Sequence, residues 1–150
     1  MELQTKRLKL IACNPDFVST ISSEEYEIGE HIEEHLNELK KDPTILGWGV
    51  WFVVNKQNNR IIGDIGFKGK PSLENTVEIG YGLVPSAQKN GYATEAVKAV
   101  IEWAFTSNQV NKVIAECLED NIPSIRVLER LKMNRVEQKG NMLKWELKNI

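Results

Sequence analysis

Residues 77–105 read VEIGYGLVPSAQKNGYATEAVKAVIEWAF. The opening part alternates: with Thr76 included, Val77, Ile79, Tyr81 and Leu83 fall on one face of a strand, and Thr76, Glu78, Gly80 and Gly82 on the other. From Ala93 the period becomes helical, with Ala93, Ala96, Val97, Val100, Ile101, Ala104 and Phe105 forming a broad apolar face. Between the two lies QKNGYATEA, residues 88–96, which puts a glycine and small residues where the helix begins. A helix start leaves backbone N–H groups without internal partners, and its dipole favours negative charge there. Small residues let a bulky anion approach that backbone, and Lys89 adds charge at the rim. The same spacing also suits an ordinary strand-to-helix turn. A P-loop is excluded because no Gly-x-x-x-x-Gly-Lys-Ser/Thr occurs, and a dinucleotide fingerprint because Pro85 stands in the third glycine's place.

Working outward, residues 3–12 are expected as a first strand, broken at Asn14-Pro15, where a short helix starts. Glu24 to Lys41 is expected as a helix with a stripe of Ile28, Ile32, Leu36 and Leu39, stopped at Asp42-Pro43. Val50–Asn55 and Arg60–Phe67 form a hairpin around Gln57-Asn58-Asn59, and Thr76–Val84 is the third strand of this meander. Val110–Leu118 is expected as a strand, Asn121–Met133 as a helix, and Arg135–Gln138 with Met142–Leu147 as a closing hairpin turned at Gly140-Asn141. The order is that of one α+β domain over residues 1–150, with a mixed sheet and a central strand-helix-strand unit.

Composition narrows the function classes. Net charge is −2, so no global field directs the chain to nucleic acid. No apolar run approaches a membrane span, and the N-terminus MELQTKRLKL has no signal-peptide apolar region, so a cytoplasmic protein is expected. Cys13 and Cys117 are expected as buried free thiols.

The 77–105 stretch resembles motif A of the GNAT acyl-CoA N-acyltransferases. Gln88, Gly91 and Ala93 match its Gln/Arg-x-x-Gly-x-Gly/Ala signature. The later VIAECLEDNIPSIRVLERLKM is similar to that family's next strand and helix, with Asn-x-x-Ser at Asn121 and Ser124. Within the family the chain is most similar to the RimJ/RimL-type ribosomal-protein acetyltransferases, and the element order agrees from end to end. The resemblance implies a mostly antiparallel twisted sheet of about six to seven strands flanked by four helices, splayed between the fourth strand (Thr76–Val84) and the fifth (Val110–Leu118).

It also implies acetyl-CoA as co-substrate, no metal, and direct attack of a primary amine, on a protein N-terminus or a small molecule, at the thioester. The diphosphate would lie on the loop Gln88, Lys89, Asn90, Gly91, Tyr92, Ala93 and Thr94, the pantetheine arm along Leu83 and Val84, and Asn121 beside it. A backbone N–H near Leu83 or Val84 would receive the developing oxyanion. Glu78, matching the family's EIGY glutamate, is the candidate base; on its own it reads equally as a surface or salt-bridged residue. Ser124 is the candidate thiol acid, and both it and Asn121 also suit helix capping. The family's tyrosine acid falls on Leu128, which cannot donate, and its Gly-Phe after the last helix is Lys132-Met133, so Lys132 is expected in a turn that glycine takes easily. The rival implied by Leu128 is a silent acyl-CoA sensor on the same fold. The family offers a monomer or a homodimer.

The early helix holds His31-Ile32-Glu33-Glu34-His35, which fits a zinc-protease pattern. A catalytic zinc needs a third protein ligand and the chain has no further histidine, so a solvated helix face is the expected reading. The same segment is acidic, which suits either a plain surface or a rim that attracts a cationic amine. Trp48 and Trp51 are expected in the core or as a wall of the acceptor pocket.

Overall fold

The computed structural model describes residues 1–21 and 25–149. Eight strands form one sheet in the order β1-β2-β3-β4-β5-β6-β8-β7. They are β1 (Glu2–Gln4), β2 (Leu8–Ala12), β3 (Val50–Asn55), β4 (Ile61–Phe67), β5 (Thr76–Leu83), β6 (Lys112–Leu118), β7 (Asn134–Lys139) and β8 (Met142–Lys148). Among the described residues four α-helices cover it: α1 (Pro15–Val18), α2 (Glu30–Lys41), α3 (Tyr92–Thr106) and α4 (Ile122–Arg130). The buried face of α3 packs with Leu128 of α4 over Leu8, Val53, Ile65, Val77, Val113 and Trp145. On the opposite face Phe17 of α1 and Ile32 and Leu36 of α2 pack with Cys13, Tyr26 and Phe52.

The feature that positions the site is a parting of strands. β5 pairs in parallel with β6 only over Thr76↔Lys112, Val77↔Val113 and Glu78↔Ile114. Beyond that, β5 stays with β4 as far as Leu83, and β6 stays with β8 as far as Leu118. The splay expected between these two strands is therefore present.

Residues 3–12, expected as one strand, are two. The chain reverses at residues 5–7, where the Thr5 hydroxyl accepts from Leu8 N–H at 3.1 Å, and Glu2 ends opposite Ile11. Helix α2 begins at Glu30, with Gly29 as its N-cap. Tyr26 is drawn into the core and donates its hydroxyl to Asp64 at 2.7 Å, which holds the segment before Gly29 out of the helix, and Ile28 is exposed. The expected start at Glu24 lies outside the described residues. His35 is not on a solvated face: it is buried against Gly49, where an added Cβ would lie 2.1 Å from His35 Cε1. Trp51 is core and donates to Gly47 O, while Trp48 packs at a tilt against Trp103 and Phe67. Cys13 and Cys117 are buried free thiols, as expected.

Helix α4 ends in a Schellman turn. Met133 N–H donates to Leu128 O and Lys132 N–H to Glu129 O, with Lys132 at φ +63°. The lysine thus takes the position glycine would take without steric cost. Replacing Lys132 by Gly is expected to raise stability by up to about 1 kcal/mol, read as a higher urea midpoint at unchanged slope. A second expectation concerns His35, whose Nε2 is buried without a partner and whose pKa burial pushes down from 6.5. The unfolded chain then takes up this proton at higher pH than the folded one. Stability is complete above pH 6.5 and falls as pH drops below it. Urea midpoints at pH 7.5 and 5.5 should differ for the wild type, and less for His35→Leu.

Candidate active site

A 3-10 turn at Pro85–Ala87 carries β5 into the loop. Lys89 at φ +66° and Gly91 at φ +78° then curl the backbone before α3. Gly91 is the N-cap and offers no side chain, and the first helical bond is Glu95 N–H to Gly91 O. The amides of Tyr92, Ala93 and Thr94 therefore have no partner within the helix. Asn90 Nδ2 holds the loop from inside, donating to Ala87 O and Gln88 O. Gln88 Nε2 donates to Leu83 O at 3.1 Å, tying the loop to the end of β5.

A brace from the β1–β2 turn fixes this arrangement. Glu95, in the first turn of α3, accepts from Thr5 Oγ1 at 2.5 Å and from Arg7 N at 2.9 Å and Nε at 2.7 Å. Burial pushes the Glu95 pKa up, but these bonds outweigh it and hold the carboxyl below its ordinary value. Arg7 also donates to Asn90 O at 2.9 Å and lays its guanidinium 4.4 Å from the centre of the Tyr92 ring.

The loop faces a groove of about 540 Å³ on the α3–α4 side of the sheet. Of the expected site residues, Leu83, Gln88, Lys89, Gly91, Tyr92, Ala93, Thr94, Asn121 and Ser124 line it together. Val84 and Asn90 line instead a separate cavity of about 520 Å³ bounded by Phe17 and Ile61. Asn121 caps α4, its Oδ1 accepting from Ser124 N–H at 3.2 Å. Two polar atoms in the groove, Tyr81 Oη and Thr94 Oγ1, are buried without a hydrogen-bond partner. Burial pushes the Tyr81 pKa up; the Ser124 side chain lies beside its hydroxyl without closing a bond of ordinary geometry. Arg126 and Arg130, one turn apart on α4, add cationic side chains to the wall.

The backbone of β5 divides its groups between two neighbours. Lys68 N–H donates to Glu78 O and Val84 N–H to Ile62 O, so the even residues of β5 bond to β4 and the odd ones face the other way. Past Glu78 that other side is the splay, so Tyr81 and Leu83 present their amides to the gap. Val84, paired with Ile62, does not.

A second groove, about 620 Å³, opens on the α2 side and reaches β5 at Gly80. Added Cβ atoms at Gly80 and Gly82 would meet nothing within 4 Å, so the sheet there is bare. Glu34, Glu38, His31, Asp64 and Trp48 line this groove. Asp64 accepts from Tyr26 Oη at 2.7 Å and lies 3.2 Å from His31 Nε2. Glu78 lies on the same face of the sheet but lines neither groove, its carboxylate bonded to Lys68 Nζ at 2.6 Å. Among the described residues no group of three or more His, Cys, Asp or Glu is placed to hold a metal.

Arg7, Asp64, Tyr81, Arg126 and Arg130 were not singled out from sequence. Arg126 and Arg130 carried a readable signal, a basic i, i+4 pair following Asn-x-x-Ser. Asp64 carried a weaker one, since aspartate is depleted in strands. Arg7 meets Glu95 across 88 positions and carried none.

Comparison with known proteins identifies the family. A family model described as Acetyltransferase (GNAT) domain matches residues 5–134. The uncharacterized N-acetyltransferase YjdG of Bacillus subtilis (strain 168) is 36% identical over 93 residues, which are 62% of this chain and 55% of that protein. The ribosomal-protein-serine acetyltransferase of Escherichia coli (strain K12) is 32% identical over 84 residues, 56% of this chain and 46% of that one. The chain thus spans about half the length of the curated relatives it matches. Among solved structures, RimL, a ribosomal L7/L12 α-N-protein acetyltransferase in complex with coenzyme A, shares the fold with a TM-score of 0.78 at 14% identity, over 99% of this chain and 98% of that one. The ribosomal-protein-S5-alanine acetyltransferase from Vibrio fischeri shares it at 0.75 and 17% identity, over 99% and 97%. With its loop, its splay and the family match over most of its length, the chain belongs to the GNAT acetyltransferase family.

Proposed function

We propose that the protein is an acetyl-CoA-dependent N-acetyltransferase acting on a primary amine, a protein N-terminus or a small amine, by direct attack in a ternary complex. One observation carries this reading: grooves on opposite faces of the sheet reach adjoining residues of β5, Tyr81 to Leu83 from one side and Gly80 from the other, where β5 and β6 have parted. A thioester delivered from one side and an amine from the other meet there without a covalent enzyme intermediate.

The loop amides from Gln88 to Thr94 hold the diphosphate, with Lys89, Arg126 and Arg130 as surrounding cations. The two orphan hydroxyl groups support a polar ligand in this groove, because buried polar atoms are costly to leave unpaired. The pantetheine arm runs along Leu83 with Asn121 beside it. Val84 contributes contact rather than an amide, since its N–H is bonded to Ile62 O. Leu83 N–H receives the charge that grows on the thioester oxygen.

The neutral amine attacks the carbonyl carbon, a C–N bond forms, and the C–S bond breaks. The proton lost from the nitrogen passes along a chain of waters over the bare sheet at Gly82 and Gly80 to Glu78, two residues further back on the acceptor face. The departing thiolate takes a proton from Ser124 or from Tyr81 beside it. The binding-only reading draws on the buried Leu128, which occupies the place of the family's tyrosine acid. Tyr81 and Ser124 offset that loss, since both contribute a hydroxyl group to the lining of the same groove.

Thiol release from acetyl-CoA with a panel of primary amines tests the function: turnover with at least one amine is expected, and CoA binding without any turnover would leave the sensor. Gly91→Glu adds bulk and negative charge at the left-handed N-cap and is expected to weaken CoA binding at least about 10-fold by calorimetry, with the fold retained. Tyr81→Phe and Ser124→Ala are each expected to lower kcat roughly 10-fold and to leave the KM for acetyl-CoA within about twofold. A pair of variants with unchanged kcat would remove both hydroxyls from the reaction.

A further inference from the structure

The acceptor groove contains a carboxylate that the reaction described above does not use. Asp64 sits in the middle of β4 and is paired with Gly82, so its Cα lies about 5.5 Å from that of the residue preceding Leu83. Cross-strand partners point to the same face, and neither Gly80 nor Gly82 has a side chain to cover the approach. Glu78 is four residues further back along β5, about 13 Å at the rise of a strand. Asp64 is therefore the carboxylate that the register brings nearest to the reacting end of the gap.

Its surroundings fix the carboxylate and leave part of it open. The Tyr26 hydroxyl and His31 Nε2 both meet Oδ2. Oδ1 has no partner among the described residues, and the Asp64 side chain is 23% exposed on the groove. Lys68, just past the end of β4, is engaged by Glu78. Glu34 and Glu38 stand at the rim of the same groove, while His35 lines it as a buried ring with an unpaired Nε2. The charge of Asp64 is felt by its neighbours: burial first, and then Asp64, push the Cys13 thiol up to about 11.

We propose that Asp64 receives the ammonium group of the acceptor on Oδ1, holds its nitrogen over Gly82, and so selects cationic primary amines; one ammonium proton passes to solvent water before attack, and the neutral amine of the transfer step stands in the same place. Tyr26 and His31 act as positioning residues that hold the other oxygen. The inference rests on the acetyl-transfer reading only for what happens to the amine after it is bound.

The test uses the full chain saturated with CoA. The probes are 1,4-diaminobutane and a tripeptide amide with a free α-amino group, with the N-acetylated tripeptide as the uncharged control. Calorimetry on wild type should show binding of at least one amine, and Asp64→Asn should weaken it about 10- to 100-fold while CoA affinity stays within about twofold. Affinity for the N-acetylated control should be the same in both proteins. A loss caused by damage to the groove would move the control as well. A second measurement needs no variant: the amine should shift the ring resonances of His31, which shares the Asp64 carboxylate.

Unchanged amine affinity in Asp64→Asn, no binding of either amine to wild type, or a silent His31 would each overturn the proposal. Its failure is distinct from that of the function. Amine binding through Asp64 without acetyl transfer removes the transferase and keeps the anchor. Turnover with an amine KM indifferent to Asp64 does the reverse.

Discussion

The structure depends on a place where hydrogen bonding stops. A parallel strand pair normally satisfies both backbones along its length, and an open edge inside a sheet leaves amides and carbonyls unpaired. Here β5 and β6 share three register pairs and then part, because β5 continues with β4 and β6 with β8. The outcome is a row of backbone groups within the molecule that an extended ligand can pair with as an added strand would. The alternation of β5 decides which groups these are: odd residues face the gap, even residues face β4.

The other parts gather around this gap in a consistent order. The loop after β5 returns a helix start to the mouth of the gap, and its N-cap glycine leaves the first amides of α3 open. Arg7 and Glu95 tie that loop to the first hairpin. Helix α4 begins with Asn121 capping Ser124 and brings Arg126 and Arg130 to the same wall. On the far face the glycines at 80 and 82 keep the sheet bare beneath the acidic side of α2. Two chemically different approaches to one short stretch of strand are thus kept apart by the sheet itself.

Much of this was legible from local pattern. The alternation over 76–83 assigned both faces of β5, and the helical period from Ala93 marked α3. The motif around Gln88, Gly91 and Ala93 fell on the loop that lines the groove beside α3 and α4, and Lys132 fell where a glycine was expected. What escaped was what depends on residues distant in sequence. Residues 3–12 have enough apolar character for one strand, and the turn at Thr5 is settled by Glu95 on another element. The start of α2 is settled by Tyr26 reaching Asp64, 38 positions away. His31 and His35 looked like one polar face, yet the first meets Asp64 and the second is buried against Gly49. A periodic pattern records which face of an element is buried, not which partner lies across it.

Amide hydrogen exchange measured residue by residue, with and without CoA, addresses the central claim most directly. If the splayed strand and the open helix start hold the ligand through their backbones, Leu83, Tyr92, Ala93 and Thr94 exchange readily in the free protein and become protected on binding. Val84, whose N–H is bonded to Ile62 O, should change little. CoA binding that leaves those four amides unprotected would contradict the account.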